Sequence, residues 1–262
     1  MTEQKVRLDI FLVRAGMARS RQLARELIAS GAVQVGGEVA TKQSQLVDES
    51  MDVVAERTEG NEFVSRGALK LLGALQDFAD IDVMDRRCID VGASTGGFTE
   101  ILLHVGAREV VALDVGRDQL DPRLRADDRV HSIERTHVRD VTAQQIGGSG
   151  DVVVADLSFI SLRHVMDRLA ELTASDGVLI PMVKPQFEVG KNRLGKGGVV
   201  RDLADHEKSV RDVVASAAEH GLHLRGIARS KVPGPAGNIE YFIRLQRGAA
   251  EDFDELWSRV VD

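Results

Sequence analysis

The 262-residue chain has one cysteine and no long apolar run. Cys88 alone cannot form an internal disulfide, and its apolar surroundings indicate a buried structural thiol. No apolar stretch approaches the roughly 20 residues of a membrane span, and the first residues do not have the pattern of a signal peptide. No Cys/His cluster suggests zinc. We therefore expect a cytoplasmic protein without a metal site.

The overall charge and composition set further limits. A net charge of −7 argues weakly against a protein that coats nucleic acid, but it does not exclude a local basic patch. The hydrophobic content of 43% is ordinary for a globular protein with a filled core. The length allows one large domain, or one medium and one small domain.

Residues 5–55 have the pattern of a small separate module. Apolar residues recur at helical spacing in two stretches, Leu8, Phe11, Leu12 and Ala15, then Leu23, Ala24, Leu27 and Ile28. Two short strands follow, joined by a turn at Gly36-Gly37. Residues 4–25 contain six basic residues against one acid, Asp9. A basic helix face on an acidic chain suits a phosphate backbone, although a merely solvated face is the alternative.

The stretch Ala18-Arg19-Ser20-Arg21-Gln22-Leu23-Ala24-Arg25, followed by Gly31-Ala32-Val33-Gln34-Val35, resembles the S4-type RNA-binding domain, which is named after a ribosomal protein. In that family the arginine-bearing helices contact structured RNA. The resemblance implies an α+β RNA-binding domain at residues 1–58. Polar residues 59–64 are predicted to form a linker.

A glycine-rich turn lies at the centre of the remaining chain. Residues 88–99 begin as an apolar strand, pass through small residues and continue as a helix. We interpret Gly92, Gly96 and Gly97 as positions where the backbone approaches a ligand. Asp114 follows the next apolar strand, where an acid can bond ribose hydroxyls. This pattern favours S-adenosylmethionine (AdoMet) over NAD; a turn that only packs a helix on a sheet is the alternative.

Strands and helices alternate over residues 65–247, which predicts a mostly parallel sheet covered on both faces. The predicted elements include a helix at 161–172, a strand at 177–183, a mobile basic loop at 190–201 and an amphipathic helix at 251–262. Charged residues stand at the carboxyl ends of strands, where such sheets bind ligands: Asp90, Asp114, Asp156 and Lys184. Structural ion pairs are the alternative explanation.

Four motifs resemble the TlyA family of ribosomal RNA methyltransferases: Asp90-Val-Gly-Ala-Ser-Thr-Gly-Gly-Phe-Thr99, Asp156-Leu-Ser-Phe-Ile-Ser161, Val183-Lys-Pro-Gln-Phe-Glu188 and Gly195-Lys-Gly-Gly-Val-Val-Arg-Asp202. The resemblance implies an α/β, Rossmann-like class I AdoMet-dependent methyltransferase domain of the FtsJ/RrmJ type at residues 65–262. Its sheet would be seven-stranded and mostly parallel. The implied reaction is 2′-O-methylation of cytidine in small-subunit RNA, large-subunit RNA or both.

The same resemblance assigns the site residues. The family's catalytic tetrad corresponds to Lys70, Asp156, Lys184 and Glu240. Lys184 would accept the hydroxyl proton, Lys70 would hold the hydroxyl or a phosphate, and the two acids would orient the lysines. Residues expected to bind AdoMet are Asp90, Gly92, Ala93, Ser94, Gly96, Gly97, Phe98, Asp114, Asp140 and Asp156. Residues expected to bind RNA are Arg7, Arg19, Arg21, Arg25, Arg66, Lys191, Arg193 and Lys196.

Two other classes of function stay open at this point. Family members have also been called haemolysins, and a membrane-active protein would need an amphipathic segment. The helix predicted at 251–262 is amphipathic but acidic and short, which suits anionic membranes poorly. A non-catalytic module that binds AdoMet or RNA is the other alternative, and an intact tetrad argues against it. We expect a monomer whose partners are ribosomal RNA or ribosomal subunits.

Overall fold

The computed structural model describes residues 5–15, 17–18, 21–48, 50–55, 63–190, 193–195, 197–234 and 237–261. The chain divides into two compact units, Met1–Val64 and Ser65–Asp262. Residues 59–62 of the predicted linker lie outside the described residues, so the division into a domain at 1–58, a linker and a domain at 65–262 stays a prediction.

In its described residues the first unit has two helices and two small sheets. Its elements are β1 (Val6–Arg7), α1 (Leu8–Arg14), α2 (Arg21–Ala29), β2 (Val33–Val35), β3 (Glu38–Val39), β4 (Leu46–Val47) and β5 (Val53–Ala55). β1 pairs with β4, and β2 lies between β3 and β5, all antiparallel. Leucines at helical spacing on α1 and α2 fill the core. Both helices and the Gly36-Gly37 hairpin lie where the sequence predicts them.

The second unit is built on a seven-stranded sheet. Its first half contains α3 (Arg66–Asp77), β6 (Arg87–Val91), α4 (Gly97–His104), β7 (Glu109–Leu113), α5 (Pro122–Arg125) and β8 (Val130–Ile133). Its second half contains β9 (Gly150–Ala155), α6 (Met166–Leu172), β10 (Thr173–Val183), α7 (Pro185–Glu188), α8 (Leu203–Glu219), β11 (His223–Arg229), β12 (Tyr241–Gln246) and α9 (Phe253–Val261).

The order of strands in the sheet locates its binding crevice. The order is β11-β12-β10-β9-β6-β7-β8, and only the pairings made by β12 are antiparallel. From β6 the chain first adds β7 and β8 on one side, and it then returns to place β9 on the other side. A ligand crevice forms at such a reversal, beyond the carboxyl ends of the two strands. The predicted mostly parallel, seven-stranded sheet is confirmed.

Two predicted elements differ from the structure. The predicted helix at 161–172 is a 3-10 turn, Leu162–His164, followed by α6, because Val165 at φ −131° is not helical. The predicted strand at 177–183 extends back to Thr173, with a register shift against β9 between Thr173 and Val178. Because the pairing is irregular before Val178, the sequence there lacks the regular apolar pattern that would predict a strand.

The apolar face of α9 is covered by the second unit itself. Trp257 is 6% exposed, and its ring lies 5.1 Å from that of Tyr241 on β12. This packing accounts for the amphipathic pattern near the end of the chain without a membrane. Within the parts of the chain that the structure describes, we find no helix with the length and apolar character of a membrane span.

Candidate active site

The glycine turn after β6 is shaped by close packing between protein segments. Gly92 has φ +88°, and a Cβ there would lie 2.6 Å from the backbone oxygen of Asp156. A Cβ on Gly97 would lie 2.2 Å from Ser65 Oγ and 2.8 Å from the backbone nitrogen of Ala68. The interpretation that these glycines make room for a ligand is therefore incomplete, because protein atoms fill the space. Gly97 allows α3 to approach α4.

Asp114 connects the glycine turn to the end of β7 by hydrogen bonds. Its Oδ2 accepts a hydrogen bond from the backbone nitrogen of Ser94 at 2.8 Å, and its Oδ1 accepts one from that of Gly116 at 2.5 Å. Ser94 has φ +48°, a conformation that few non-glycine residues adopt. Each carboxylate oxygen can accept a further bond, so Asp114 can hold the turn and still receive a ligand hydroxyl.

Asp90 is a fully buried carboxyl group at the end of β6. Oδ2 accepts a bond from Thr99 Oγ1 at 2.7 Å, whereas Oδ1 is buried without a partner among the described residues. Burial raises the pKa of Asp90 to about 7, with a further contribution from the charge of Asp156. A buried acceptor without a partner is costly, which fits a group that faces a ligand in the crevice.

Lys184 and Asp156 form one ion pair of the site. Lys184 Nζ lies 2.5 Å from Asp156 Oδ1, with angles that are not those of a hydrogen bond, and donates to Ser158 Oγ at 2.9 Å. The Lys184 side chain is 8% exposed. The two residues follow the adjacent strands β10 and β9. The expectation that they are neighbours is confirmed.

Lys70 and Glu240 form a second, more deeply buried pair. Lys70 Nζ donates to Glu240 Oε2 at 2.6 Å, and Gln186 Nε2 donates to Oε1 at 3.3 Å. Glu240 is fully buried, and Lys70, which the sequence pattern leaves just off the apolar stripe of its helix, is also buried. Gly234 is required here because a Cβ would lie 2.3 Å from Glu240 Oε1.

The sheet brings the two pairs to the same edge. Val183 pairs with Tyr241 on the neighbouring strand, which places Lys184 beside Glu240 in register. Gln186, two residues beyond Lys184, donates to Glu240 and so connects the two segments. The four charged residues therefore lie at one edge of the sheet. Asp156 and Lys184 directly follow β9 and β10, Glu240 directly precedes β12, and Lys70 lies on α3.

Glu188 is a site residue for which the sequence pattern alone predicts no role. Its buried carboxylate accepts bonds from Ser161 Oγ at 2.5 Å, from the backbone nitrogen of Leu162 at 2.8 Å and from Arg163 Nε at 3.3 Å. Glu188 lies in α7, which follows Lys184, whereas Ser161, Leu162 and Arg163 lie in the stretch of chain that follows Asp156. It ties the two segments together, and no local pattern predicts such a pairing.

Phe159 is a second site residue that the sequence analysis did not single out. It is 92% exposed and has φ +65°, which is strained for a non-glycine residue. Its ring lies 5.3 Å from that of Phe187, which in turn lies 5.9 Å from Lys184 Nζ. An exposed aromatic ring that contacts Phe187, the neighbour of Lys184, offers a stacking surface. The available sequence signal for this residue was an aromatic side chain shortly after the strand-end acid Asp156, between Ser158 and Ser161.

The other residues expected to bind AdoMet have diverse surroundings. Phe98 is buried and packs against Phe242 at 5.9 Å, so its ring is part of the core. Ala93 is buried in the turn, and Gly96, at φ +96°, faces the side chains of Leu120 and Leu124. Asp140 is exposed at the end of a 3-10 turn.

The residues expected to bind RNA fall into two groups. In the first unit, Arg7, Arg21 and Arg25 all contact Asp9, whereas Arg19 lies outside the described residues. In the second unit, Arg66 is exposed at the start of α3, and Arg193 donates to Asp205. Lys191 and Lys196 lie outside the described residues. Among the residues that the structure does describe, no group of three or more His, Cys, Asp or Glu could hold a metal ion.

A seven-stranded sheet with one antiparallel strand, a glycine turn after its first strand and an acid after its second defines a Rossmann-like methyltransferase. The FtsJ-like methyltransferase family matches residues 63–247, and the S4 domain matches residues 6–54. The chain therefore belongs to the FtsJ-like methyltransferase family and, within it, to the TlyA family, in which a methyltransferase domain follows an S4 domain.

Individual relatives cover nearly the whole chain. The 16S/23S rRNA (cytidine-2'-O)-methyltransferase TlyA of Mycobacterium tuberculosis is 50% identical over 93% of this chain and 90% of its own length. Hemolysin A of Brachyspira hyodysenteriae is 34% identical over 90% of this chain and 98% of its own. A solved Streptococcus thermophilus structure, which carries a hemolysin name, is 34% identical with a TM-score of 0.75, and covers 98% of this chain and 96% of its own.

Proposed function

We propose that this chain is an AdoMet-dependent ribosomal RNA methyltransferase that methylates the 2′-hydroxyl of cytidine in small-subunit RNA, large-subunit RNA or both. The observation that supports it best is the pair of buried ion pairs, Lys70–Glu240 and Lys184–Asp156, at the crevice edge of a methyltransferase fold. The name of the Mycobacterium tuberculosis relative supplies the nucleotide and the RNA.

The residues of the crevice fit AdoMet as the cofactor. Asp90 offers a buried oxygen that has no partner among the described residues, and each carboxylate oxygen of Asp114, beside the turn, can accept a further bond. We assign cofactor binding chiefly to the backbone of the turn and to four acids. The residues are Gly92, Ala93, Ser94, Gly96, Gly97 and Phe98 in the turn, with Asp90, Asp114, Asp140 and Asp156. When bound, AdoMet would supply an electrophilic methyl group.

We assign the proton chemistry to the lysines. A ribose hydroxyl is a weak nucleophile, and its proton must leave during or after the attack of its oxygen on the methyl group. Lys184 would accept this proton after its ammonium group has released a proton to solvent, and Asp156 and Ser158 hold its Nζ in place. Lys70 would bind the hydroxyl or a neighbouring phosphate, oriented by Glu240. Positioning supplies much of the rate enhancement in such a transfer.

We assign the target base to Phe159. Sequence-specific RNA recognition commonly uses unstacked bases on aromatic side chains, and enzymes that reach into a nucleotide take it out of its stack. The exposed ring of Phe159, two aromatic contacts from Lys184, would hold the base while its ribose lies beside Lys184. Arg66, Lys191, Arg193 and Lys196 would contact phosphates around the crevice, and the arginines of the first unit would dock the RNA.

The proposal includes a monomeric enzyme of the cytoplasm, where ribosomal RNA lies. Light scattering of the purified chain tests the monomer. The helix considered for a membrane-active function is already covered on its apolar face, because α9 packs on β11 and on the ring of Tyr241. Leakage of dye from anionic phospholipid vesicles at concentrations that give no methyl transfer would revive that alternative.

The deciding experiment maps methyl groups on ribosomal RNA. Unmodified small and large ribosomal subunits are incubated with the chain and labelled AdoMet, and nuclease digests are analysed for 2′-O-methylcytidine by mass spectrometry. We expect label at one or a few cytidines. Lys184→Ala should abolish it while calorimetric AdoMet affinity stays within a few-fold, and Lys208→Ala, which removes an exposed lysine of α8, should not change it. Label on a base, or near-normal turnover by Lys184→Ala, would contradict the mechanism.

A further inference from the structure

Three arginines of the first unit converge on a single acid. Asp9, in the first turn of α1, has a side chain with no exposed surface, and both of its oxygens accept hydrogen bonds. Arg7 contributes Nε to Oδ1 at 3.0 Å and Nη2 to Oδ2 at 3.4 Å. Arg21 Nη2 and Arg25 Nε donate to Oδ2 at 2.9 Å and 3.4 Å.

Toward the described residues, the three arginines use only part of their donors. Each guanidinium has five N–H donors, of which Arg7 uses two on Asp9 and each of the others uses one. Their side chains are 40%, 51% and 49% exposed for Arg7, Arg21 and Arg25. The three guanidinium groups are therefore partly exposed around one buried acid, and their planar forks of donors suit phosphate oxygens.

Asp9 would weaken RNA binding if the arginine cluster acted through its charge alone. Three arginines and one aspartate have a net charge of +2, whereas the arginines without the acid would have +3. A surface that only attracted RNA would bind more tightly without Asp9. What the acid contributes is order, because it fixes three long side chains that would otherwise sample many rotamers.

We propose that Asp9 is the positioning residue of a phosphate-binding site, the Asp9 triad, in which Arg7, Arg21 and Arg25 bind backbone phosphates of folded RNA. The site rests on the proposed function, since ribosomal RNA is the folded RNA in question. The hydrogen bond from Arg7, followed by that from Arg21, holds the pKa of Asp9 well below its usual range. The acid therefore stays charged and keeps the arginines ordered at every physiological pH.

The test distinguishes the effect of positioning the arginines from the effect of their net charge by comparing two RNAs. The full chain, Asp9→Asn and Asp52→Asn are titrated without AdoMet against unmodified ribosomal subunits and against unstructured poly(U), at several salt concentrations. Asp52 is an exposed acid of the same unit, so its substitution adds the same charge elsewhere. Asp9→Asn should raise the subunit dissociation constant about tenfold, the order expected when long side chains must be ordered on binding. Poly(U) affinity should stay equal or increase in both variants.

A second variant keeps the test decisive if Asp9→Asn misfolds. Arg21→Lys/Arg25→Lys retains Asp9 and the net charge but removes the planar fork of donors. It should also weaken subunit binding about tenfold and leave poly(U) binding within twofold. AdoMet affinity should match that of the parent chain in all variants, and circular dichroism at the temperature of the binding assay should show that each variant is folded.

The proposal is overturned if Asp9→Asn binds subunits as tightly as Asp52→Asn, or if the double lysine variant binds them like the parent, since charge alone would then suffice. Failure of the proposed function is a separate result, seen as absence of methyl transfer by the parent chain. Subunit binding is measured without AdoMet and does not depend on that outcome.

Discussion

Lys70 Nζ lies 2.6 Å from Glu240 Oε2, although the two residues are 170 positions apart in the chain. The pair joins α3, at the beginning of the second unit, to the segment just before β12, near its end. Both side chains are buried, so each charge is compensated chiefly by the other. Under the proposed function this one contact serves both stability and catalysis, and substitutions can separate the two.

We predict that Lys70→Met and Glu240→Gln each lower the free energy of unfolding of the second unit by about 3–5 kcal/mol, because each leaves an uncompensated buried charge. The double variant Lys70→Met/Glu240→Leu should recover most of that stability and none of the methyl transfer. Chemical denaturation can be followed by the fluorescence of Trp257, the chain's single tryptophan. Methyl transfer by the double variant at more than a tenth of the parent rate would make the pair purely structural.

We predict that Asp114→Ala weakens AdoMet binding by roughly 10- to 100-fold, because it removes a ligand acceptor and the bonds that hold Ser94 and Gly116. Calorimetric titration measures this change. Asp118→Asn in the same loop is the matched control, since the pairs of Asp118 with Arg117 and Arg125 are on the surface and contribute little, and asparagine tolerates the φ of +53° at this position. Unchanged AdoMet affinity with reduced RNA affinity would assign Asp114 to the RNA instead.

Sequence patterns predicted those parts of the site that depend on local chemistry. An acid or a lysine directly after an apolar strand indicates a position at the ligand-binding edge, and Asp90, Asp114, Asp156 and Lys184 all lie there. Helical spacing located α1 and α2, and the arginine pair Arg21 and Arg25 lies on one face. These features depend on residues within a few positions of one another, which a single sequence displays.

Contacts between distant segments could not be predicted in this way. Asp9 looks like one acid among basic residues, and its role follows only from the packing of α1 against α2. Gly97 looks like a ligand-approach glycine, but the constraint is the backbone of α3, which approaches it in space. Glu188 reaches Ser161 across 27 positions, and neither residue has a local signal for that bond.

We predict that the stability of the AdoMet-free second unit falls as the pH rises from 5 to 8, in part because of Asp90. Its pKa in the folded chain, about 7, is above the value of about 3.9 in an unfolded one, so the folded state binds the proton more tightly. The stabilisation is fully present below about pH 4 and is lost as the pH rises through about 7.

The variant Asp90→Asn should flatten this pH dependence and be more stable than the parent at pH 8. Asp127→Asn is the control, because the bond from Arg129 lowers the pKa of Asp127, which therefore does not titrate in this range. Chemical denaturation at pH 5, 6.5 and 8 measures all three chains. Parallel pH profiles for the parent and Asp90→Asn would show that Asp90 is ionised throughout, against the prediction.

We predict that Glu188→Gln lowers kcat at least tenfold and leaves AdoMet affinity within about threefold. The carboxylate accepts bonds from Ser161, Leu162 and Arg163, and an amide would present N–H groups to some of these donors. The segment with Asp156 and Phe159 would then separate from the segment with Lys184. Because a 1 Å displacement can cost a hundredfold in rate, the defect should exceed the loss of stability.

Two comparisons distinguish this positioning role from general destabilisation. Ser161→Ala removes one of the bonds to Glu188, together with the bonds that Ser161 Oγ accepts from Arg163, and leaves the carboxylate in place, so it should lower kcat less than Glu188→Gln does. Glu171→Gln, a change of the same kind at an exposed acid of α6 that pairs with Arg168, should have kcat values near the parent's. If Glu188→Gln loses AdoMet affinity and thermal stability in proportion to kcat, the residue only maintains the fold. If kcat falls alone, with the KM for ribosomal subunits near the parent value, Glu188 sets the distance between Asp156 and Lys184.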